Sequence, residues 1–330
     1  VTTDGAKTAT DQNFFASFYL QNEDLPCLPS NMTRSPVAAE LIAVLVAVSD
    51  GVPLVLTIEG GASLPSGPLS PEHRSLQAGV RAWVERQTHH PLGYVEQLYT
   101  FADTDRNETE GSFGRAISIS YLALTREQKD TETRNAAWRP WYDYFPWEDA
   151  RAGQGAQPIA AALKTWIQAG PGAAQRTTRR RRAAIAFGQD GRPWNEELSL
   201  QRYELLYEAG LVAEAGAGAR KFGRPMAHDH RRILATGIAR LRAKITYRPV
   251  VFELMPPEFT LLDLQRCVEA LAGRTLHKQN FRRLVEQQEL VEETGILAAP
   301  TGGRPAKLFR FRADILQERA YAGTKPPLSR

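Results

Sequence analysis

The chain has 330 residues, with 41 Lys+Arg against 37 Asp+Glu, 42% hydrophobic residues and 9% aromatics. At about 150 residues per domain this length accommodates about two cores, and the balance excludes a collagen-like, wholly disordered or disulfide-stapled protein. No run of about 18 apolar residues occurs, so no membrane-spanning helix is expected; the longest apolar stretch, Ala38–Val48, is short and contains Glu40.

The first residues lack a basic start followed by an apolar segment, so no secretory leader is expected. The only cysteines are Cys27 and Cys267, with no C-x-x-C pair. This usage fits a reducing cytoplasm and argues against a zinc site. It also makes the sequons at Asn31 and Asn107 incidental.

Residues 1–36 are polar and poorly periodic, which predicts an N-terminal arm. Leu41–Val48 and Pro53–Ile58 are apolar and β-branched, and Ser49-Asp50-Gly51 between them predicts a hairpin. A Gly/Ser/Pro-rich loop follows over 60–70. Ser75–Gln87 has helical spacing, with Leu76, Val80, Trp83 and Val84 on one face. Gly93–Phe101 and Ala116–Leu124 alternate as strands around a polar loop, Asp103–Gly114. This order predicts an α/β layered domain ending near residue 150. The aromatic run 138–149 (WRPWYDYFPWED) is expected to pack between domains; a stacking wall for a base is the alternative.

Residues 158–167, 196–215 and 227–245 are predicted helices; the last is basic and amphipathic through Ile233, Ile238, Leu241 and Ile245. Residues 170–182, ending in Arg179–Arg182, are expected to be an exposed basic loop or a phosphate contact. Residues 1–150 carry 11 basic and 20 acidic residues, whereas 151–246 carry 17 basic and 7 acidic. An acidic first half before a basic second half suggests an anionic polymer as partner of the latter, or simply solvated arginine faces.

Pro249–Leu254 is predicted as a short strand. Thr260 is placed to cap a helix over Leu261–Ala272 that ends at Gly273, with Asp263 in its first turn. A second helix runs from Leu276 to about Gln287, with Phe281, Leu284 and Val285 at core spacing. A hairpin follows, with Leu290–Leu297 and Ala306–Phe311 flanking the loop 298–305. This is the order of a winged helix-turn-helix. The second helix would enter a major groove, exposing Thr275, His277, Lys278, Gln279, Asn280, Arg282 and Arg283 to DNA. Arg304 and Lys307 on the wing would meet phosphates or the minor groove. Use of the module for protein contact is the alternative.

The stretches FTLLDLQRCVEALAGRTLHKQNFRRLVE (259–286) and TGGRPAKLFRF (301–311) resemble the C-terminal domain of Nudix-related transcriptional regulators of the NrtR and NadQ type. YVEQLYTFADTDR (94–106) and RAISISYLAL (115–124) resemble the strand–loop–strand of ADP-ribose-class Nudix proteins. The resemblance covers most of 38–125 and 227–317. It implies an α/β/α Nudix-like sandwich followed by an α+β winged helix-turn-helix. The expected divisions are the arm (1–36), a degenerate effector domain (37–150), a helical basic connector (151–226) and the DNA-binding domain (227–330).

The Nudix box of that family runs Gly, five residues, Glu, seven residues, then Arg-Glu-apolar-x-Glu-Glu-x-Gly-apolar. Here Gly67 and Arg81 match, Trp83 stands at the apolar position and Glu85 is kept. His73, Ala82, Arg86 and Thr88 replace the first Glu, the second Glu, the last Glu and the final Gly. Hard cations need several oxygen ligands, and Glu85 beside Arg86 cannot supply them. No metal, cofactor or catalytic residue is therefore expected, although an active hydrolase of ADP-ribose-type substrates with a regulatory tail is the alternative function. Arg81, Arg86, Arg106 and Arg115 are candidates to meet effector phosphates, with Arg81 alternatively paired to Glu85. Phe101 and Tyr99 would stack on a base or fill the core.

The resemblance implies a cytoplasmic homodimeric repressor of NAD-biosynthesis genes that reads a palindromic duplex operator. NAD, ATP or ADP-ribose would be its effector.

Overall fold

A computed structural model of the chain describes residues 37–90, 92–102, 115–126, 135–151, 157–216, 221–247, 250–298 and 305–312. The expected N-terminal arm, Cys27, both sequons, the whole polar loop Asp103–Gly114 including Arg106, and Arg304 lie outside the described residues.

Strands β1 (Val37–Ser49) and β2 (Val52–Ile58) form the expected hairpin, with Ser49 opposite Val52. Asp50 and Gly51 both take positive φ, 49° and 73°. Two left-handed residues twist the turn in the sense of the flanking strands, which is why Asp-Gly favours this connection. The remaining strands are β3 (Ser66–Pro68), β4 (Tyr94–Phe101), β5 (Arg115–Leu124) and β6 (Ala136–Pro140). The sheet order is β4-β5-β1-β2-β6, with β3 also paired to β1. The β1–β5 pairing is parallel and the others are antiparallel, so the sheet is mixed.

β1 is buried on both faces, which explains its unbroken apolar run. Leu41, Ala43, Leu45 and Ala47 meet Val80 and Val84 of α1 (Leu76–Thr88). Ile42, Val44 and Val46 belong to the opposite core, with Ile233, Leu234 and Ile238 of α6 (His230–Tyr247). Successive strand residues point to opposite faces, so one strand supplies both layers of the sandwich. None of the described helices is long and apolar enough to cross a membrane.

The aromatic run packs as a core. Trp141 and Tyr144 of the short helix α2 (Trp141–Tyr144), with Phe145 and Trp147, are at most 1% exposed. They join α3 (Gln157–Gln168), α4 (Ala173–Phe187), α5 (Ser199–Glu208) and α6 in one apolar cluster. Within it the Arg231 guanidinium lies 5.4 Å from the ring centres of both Phe145 and Trp147. Its Nη2 group donates to both the Tyr144 and Phe222 carbonyls, at 2.5 and 2.8 Å.

Two expectations are corrected here. The Arg179–Arg182 run is not a loop but the middle of α4. Arginine is a good helix former, and Ala183, Ala184, Ala186 and Phe187 supply the buried stripe that anchors the helix. The arginines of 151–246 are also not all solvated faces: Arg202, Arg231 and Arg242 are buried.

A third correction concerns 249–254. Val250–Leu254 is a 3-10 helix rather than a strand. Val251, Phe252, Leu254 and Met255 are all buried, and a tight helical turn brings four close-spaced apolar side chains inward where a period-two strand would expose half of them.

The C-terminal module comprises α7 (Leu261–Ala272), α8 (Lys278–Gln287), β7 (Val291–Leu297) and β8 (Lys307–Phe311). Thr260 and Asp263 cap α7 reciprocally, and Gly273 ends it at φ 73°. Asp263 donates its backbone N–H to Thr260 Oγ1 at 3.1 Å. β7 and β8 pair antiparallel, and Phe259 forms a single antiparallel bridge to Phe309 of β8.

Candidate nucleic-acid interface and the altered nucleotide box

α8 presents the face expected of a recognition helix. Phe281 and Val285 are its buried residues, whereas Lys278, Gln279, Asn280, Arg282, Arg283 and Gln287 are exposed. With about 100° between successive residues, Arg283 projects directly away from the Phe281–Val285 stripe, with Gln279 and Gln287 about 40° to either side of it. Asn280 lies about 60° from the outward direction on one side and Arg282 about 100° on the other, whereas Lys278, in the first turn, is exposed closer to the stripe itself. Leu284 departs from the expectation. It is 51% exposed, because Phe281 and Val285 already fill the contact with α7 and Leu284 lies outside their stripe.

The turn before α8 is held by residues that the sequence reading did not single out. Glu269 Oε1 accepts the Leu276 N–H at 2.8 Å and a 2.9 Å bond from Gln265 Nε2. Gln265 Nε2 also donates to the Leu276 carbonyl at 3.1 Å. Their i, i+4 spacing on α7 was the available signal. Thr275 and His277 are exposed in this turn, and His277 is the N-cap of α8 without a side-chain cap bond. Arg274, at the start of the turn, pairs with Glu196 at 2.5 Å.

On the wing, Lys307 Nζ lies 2.9 Å from both carboxylate oxygens of Glu293 across the strand pair. Arg310 pairs with Glu292 at 2.7 Å. The wing's strand cations are thus matched by acids on β7, and any phosphate approaching Lys307 competes with Glu293.

α7 is tied to the sheet half of the molecule at its C-terminal end. Tyr142 Oη donates to the Ala270 carbonyl at 2.6 Å, Arg242 Nε to the Leu271 carbonyl at 2.8 Å, and the Ala150 N–H to the Gly273 carbonyl at 2.7 Å. These are carbonyls that a helix end leaves without intrahelical partners. A Cβ at Gly273 would stand 2.2 Å from the Glu148 carbonyl oxygen, so only glycine permits this approach.

The altered box is held by contacts within itself. Ser75 caps α1 by accepting the Ala78 N–H at 3.1 Å. His73 Nδ1 accepts the Ser70 N–H at 3.1 Å, and its ring meets Trp83 edge-on, with centroids 6.4 Å apart. The Trp83 indole covers Gly67, where a Cβ would fall 2.3 Å from the ring, and donates to the Pro68 carbonyl at 2.9 Å. Arg86 lies 4.7 Å from the Trp83 ring centre. Gln87 both accepts from the Ser66 N–H, at 3.1 Å, and donates to its carbonyl, at 2.8 Å. Among the described residues no three His, Cys, Asp or Glu side chains converge as a metal site.

The candidate effector residues do not converge on one face. Arg81 turns to the Leu92 and Gly93 carbonyls rather than to Glu85. Phe101 is buried in the core on the α6 side, opposite to the α1 layer that carries Arg81 and Arg86, and the Arg232 guanidinium lies 5.0 Å from its ring centre. Tyr99 is 57% exposed beside it. Arg115 opens β5 opposite Val37; its side chain, like Arg106, lies outside the described residues.

Residues 251–311 match the family model of the NrtR DNA-binding winged helix domain. The ADPR responsive transcriptional repressor NtrR of Acinetobacter baylyi is 42% identical over 86 residues, which are 26% of this chain and 34% of that protein. The match therefore spans about a third of the curated relative's length. Among solved structures, Shewanella oneidensis NrtR complexed with a 27mer DNA aligns with a TM-score of 0.53 at 21% identity, over 84% of this chain and 95% of that one. A second structure of S. oneidensis NrtR aligns over the same shares of this chain and of that one at a TM-score of 0.51 and 20% identity. The chain thus has an N-terminal Nudix-like mixed-sheet domain followed by a C-terminal winged-helix domain, the fold of S. oneidensis NrtR, and its residues 251–311 are similar to the NrtR DNA-binding domain.

Proposed function

We propose that the chain is a DNA-binding transcriptional repressor whose Nudix-like half responds to an adenine nucleotide. The observation that carries this reading is the polar, exposed face of α8 on a capped and clamped α7, within the segment that matches a DNA-binding winged helix. Arg283, Gln279 and Asn280 are the side chains for base edges. Arg282, Lys278, Thr275, His277, Arg304 and Lys307 are those for the backbone and minor groove. Two recognition helices on one face of DNA require a two-fold protein, so the functional form is a cytoplasmic homodimer on a palindromic operator.

ADP-ribose is the preferred effector, because the matching A. baylyi repressor is named for its response to it; NAD and ATP share the adenine and phosphates. The half that would bind it does not hydrolyse it. Ala82 and Arg86 replace carboxylates, and His73 is engaged with Ser70 and Trp83. Effector binding would act through the contacts of Tyr142, Ala150 and Arg242 with the end of α7, shifting the spacing of paired winged helices. Such a shift requires different effector affinity in the two arrangements. The regulated genes in this reading are those of NAD biosynthesis, as for repressors of the NadQ type.

The test is selection of genomic fragments by the purified protein at near-physiological salt, alone and with ADP-ribose, NAD or ATP. The expected result is a palindrome upstream of NAD-synthesis genes whose retention changes most with ADP-ribose. Absence of any enriched sequence in all four conditions overturns the reading.

A further inference from the structure

The arginine run of α4 is left unexplained by the winged helix. α4 contains five arginines and no acidic residue. Three of them are engaged. Arg176 donates to the Gly170 carbonyl at 3.1 Å, Arg179 to the Trp166 carbonyl at 2.7 Å, and Arg182 grips Glu208 with two bonds of 2.9 and 2.5 Å. Arg180 and Arg181 are exposed and hold no ion pair among the described residues. At helical spacing they share a face with Thr177 and Arg176, which makes a compact cationic surface on a rigid element.

That element is joined to the DNA-binding module through a continuous polar chain. The Ala186 carbonyl, in the last turn of α4, accepts from Arg202 at 3.0 Å. Arg202 grips Glu148, Glu148 also binds Arg242, and Arg242 donates to the Leu271 carbonyl of α7. A second tie runs through the loop after α4, where Glu196 pairs with Arg274 in the turn before α8. Arg181 lies five residues before Ala186, about 8 Å along the helix.

We propose that the Arg180–Arg181 face of α4 is an accessory phosphate-binding surface that contacts the duplex backbone beside the segment read by α8. The proposal rests on the DNA-binding reading above. It fits a cationic surface with no acidic neighbour on its own helix, held on the same frame as a recognition helix. It contributes affinity without sequence preference, because guanidinium–phosphate contacts carry no base information.

The experiment measures the full chain on its selected operator duplex, with long flanks, between 50 and 200 mM salt. Wild type, R180A/R181A and R180K/R181K are compared, with R283A alongside. Two lost phosphate contacts reduce the log–log salt slope by about 1.8 and weaken binding roughly tenfold. R180A/R181A is expected to show this loss with its preference for operator over scrambled DNA unchanged, and R180K/R181K to restore the slope. Equal slopes and affinities for wild type and R180A/R181A overturn the proposal. So does a change in oligomeric state with an unchanged salt slope, which would assign the face to a second copy. If R180A/R181A binds as wild type while R283A loses its operator preference, the accessory surface fails and the repressor reading stands. If wild type binds no duplex, the repressor reading itself fails.

Discussion

Arg202 grips Glu148 through two bonds, Nε to Oε1 at 2.6 Å and Nη2 to Oε2 at 2.8 Å, with both side chains fully buried. Arg242 takes the same carboxylate from the other side, and Ser199 Oγ adds a bond of 3.2 Å. One carboxylate thereby fixes α5 and α6 to the aromatic run, and Arg242 carries the tie onward to α7. Removing one member of a buried ionic cluster leaves the others charged without compensation, which costs about 3–5 kcal/mol. Glu148→Ala is therefore expected to lower stability by about that amount. Chemical unfolding measures it; a loss below about 1 kcal/mol would show that the two guanidiniums find other partners.

Burial alone would push the Glu148 carboxyl up, but the Arg202 and Arg242 guanidiniums beside it hold it below its ordinary value of 4.5. A carboxyl lowered in the folded state favours folding above its unfolded value. That contribution is lost as pH falls below about 4.5 toward the folded value.

His230 gives a second and separable pH effect. It is buried, and its Nδ1 accepts the Leu64 N–H at 2.9 Å, so the ring is neutral with its proton on Nε2. Burial, with His228 nearby, lowers its pKa from 6.5 to about 4, against a small opposing pull from Glu59. The unfolded chain takes up the proton first on acidification. The His230 contribution is thus complete above about pH 6.5 and falls by on the order of 3 kcal/mol between pH 6.5 and 4. His230→Asn keeps an acceptor for Leu64 and removes the titration. Unfolding free energies of the variant are expected to be flatter than wild type between pH 6.5 and 4.5, the interval above the Glu148 transition. Parallel curves in that interval would refute the assignment.

Where local chemistry dictates conformation, these elements were legible in the sequence. Asp50-Gly51 specifies its two-residue turn through positive φ, and Thr260, Asp263 and Gly273 mark both ends of α7. Elements set by tertiary burial were not. Val250–Leu254 has the composition of a strand, yet the pocket it fills requires a tight helical turn. Arg202, Arg231 and Arg242 look like surface charge in a sequence, because their burial depends on Glu148, on Glu214 and on aromatic rings distant along the chain. Within the candidate interface the exposed cations of α8 follow from helical spacing. The pairing of Lys307 with Glu293 depends on hairpin register, which the intervening Gly-rich loop does not reveal.

The two central arginines of α8 are expected to differ. Arg283 projects opposite the buried Phe281–Val285 stripe, whereas Arg282 lies on its shoulder. Arg283→Ala should cost about 1–3 kcal/mol of operator binding and relax preference at one base position. Arg282→Ala should weaken all duplexes equally and reduce the salt slope by about one contact. A panel of operators with single base-pair changes distinguishes the two. The reverse assignment would mean that the helix is rotated in the groove, and two unaffected variants would exclude α8 as the reading helix.

Lys307 supplies the opposite kind of prediction, a variant that binds DNA more tightly. Its ammonium lies between the two Glu293 oxygens, and both side chains are more than half exposed. Such a pair contributes little to folding, because water screens it on all sides. At a DNA surface the same carboxylate repels phosphate and occupies the cation that would meet it. Glu293→Gln keeps the size and polarity of the side chain while releasing Lys307. Its thermal stability should therefore match that of wild type, while affinity for any duplex rises several-fold and the salt slope steepens by about one contact. Both changes should disappear in Glu293→Gln combined with Lys307→Ala. If Glu293→Gln tightens binding even without Lys307, the gain comes from removing a repulsive charge alone, and Lys307 is not a phosphate contact.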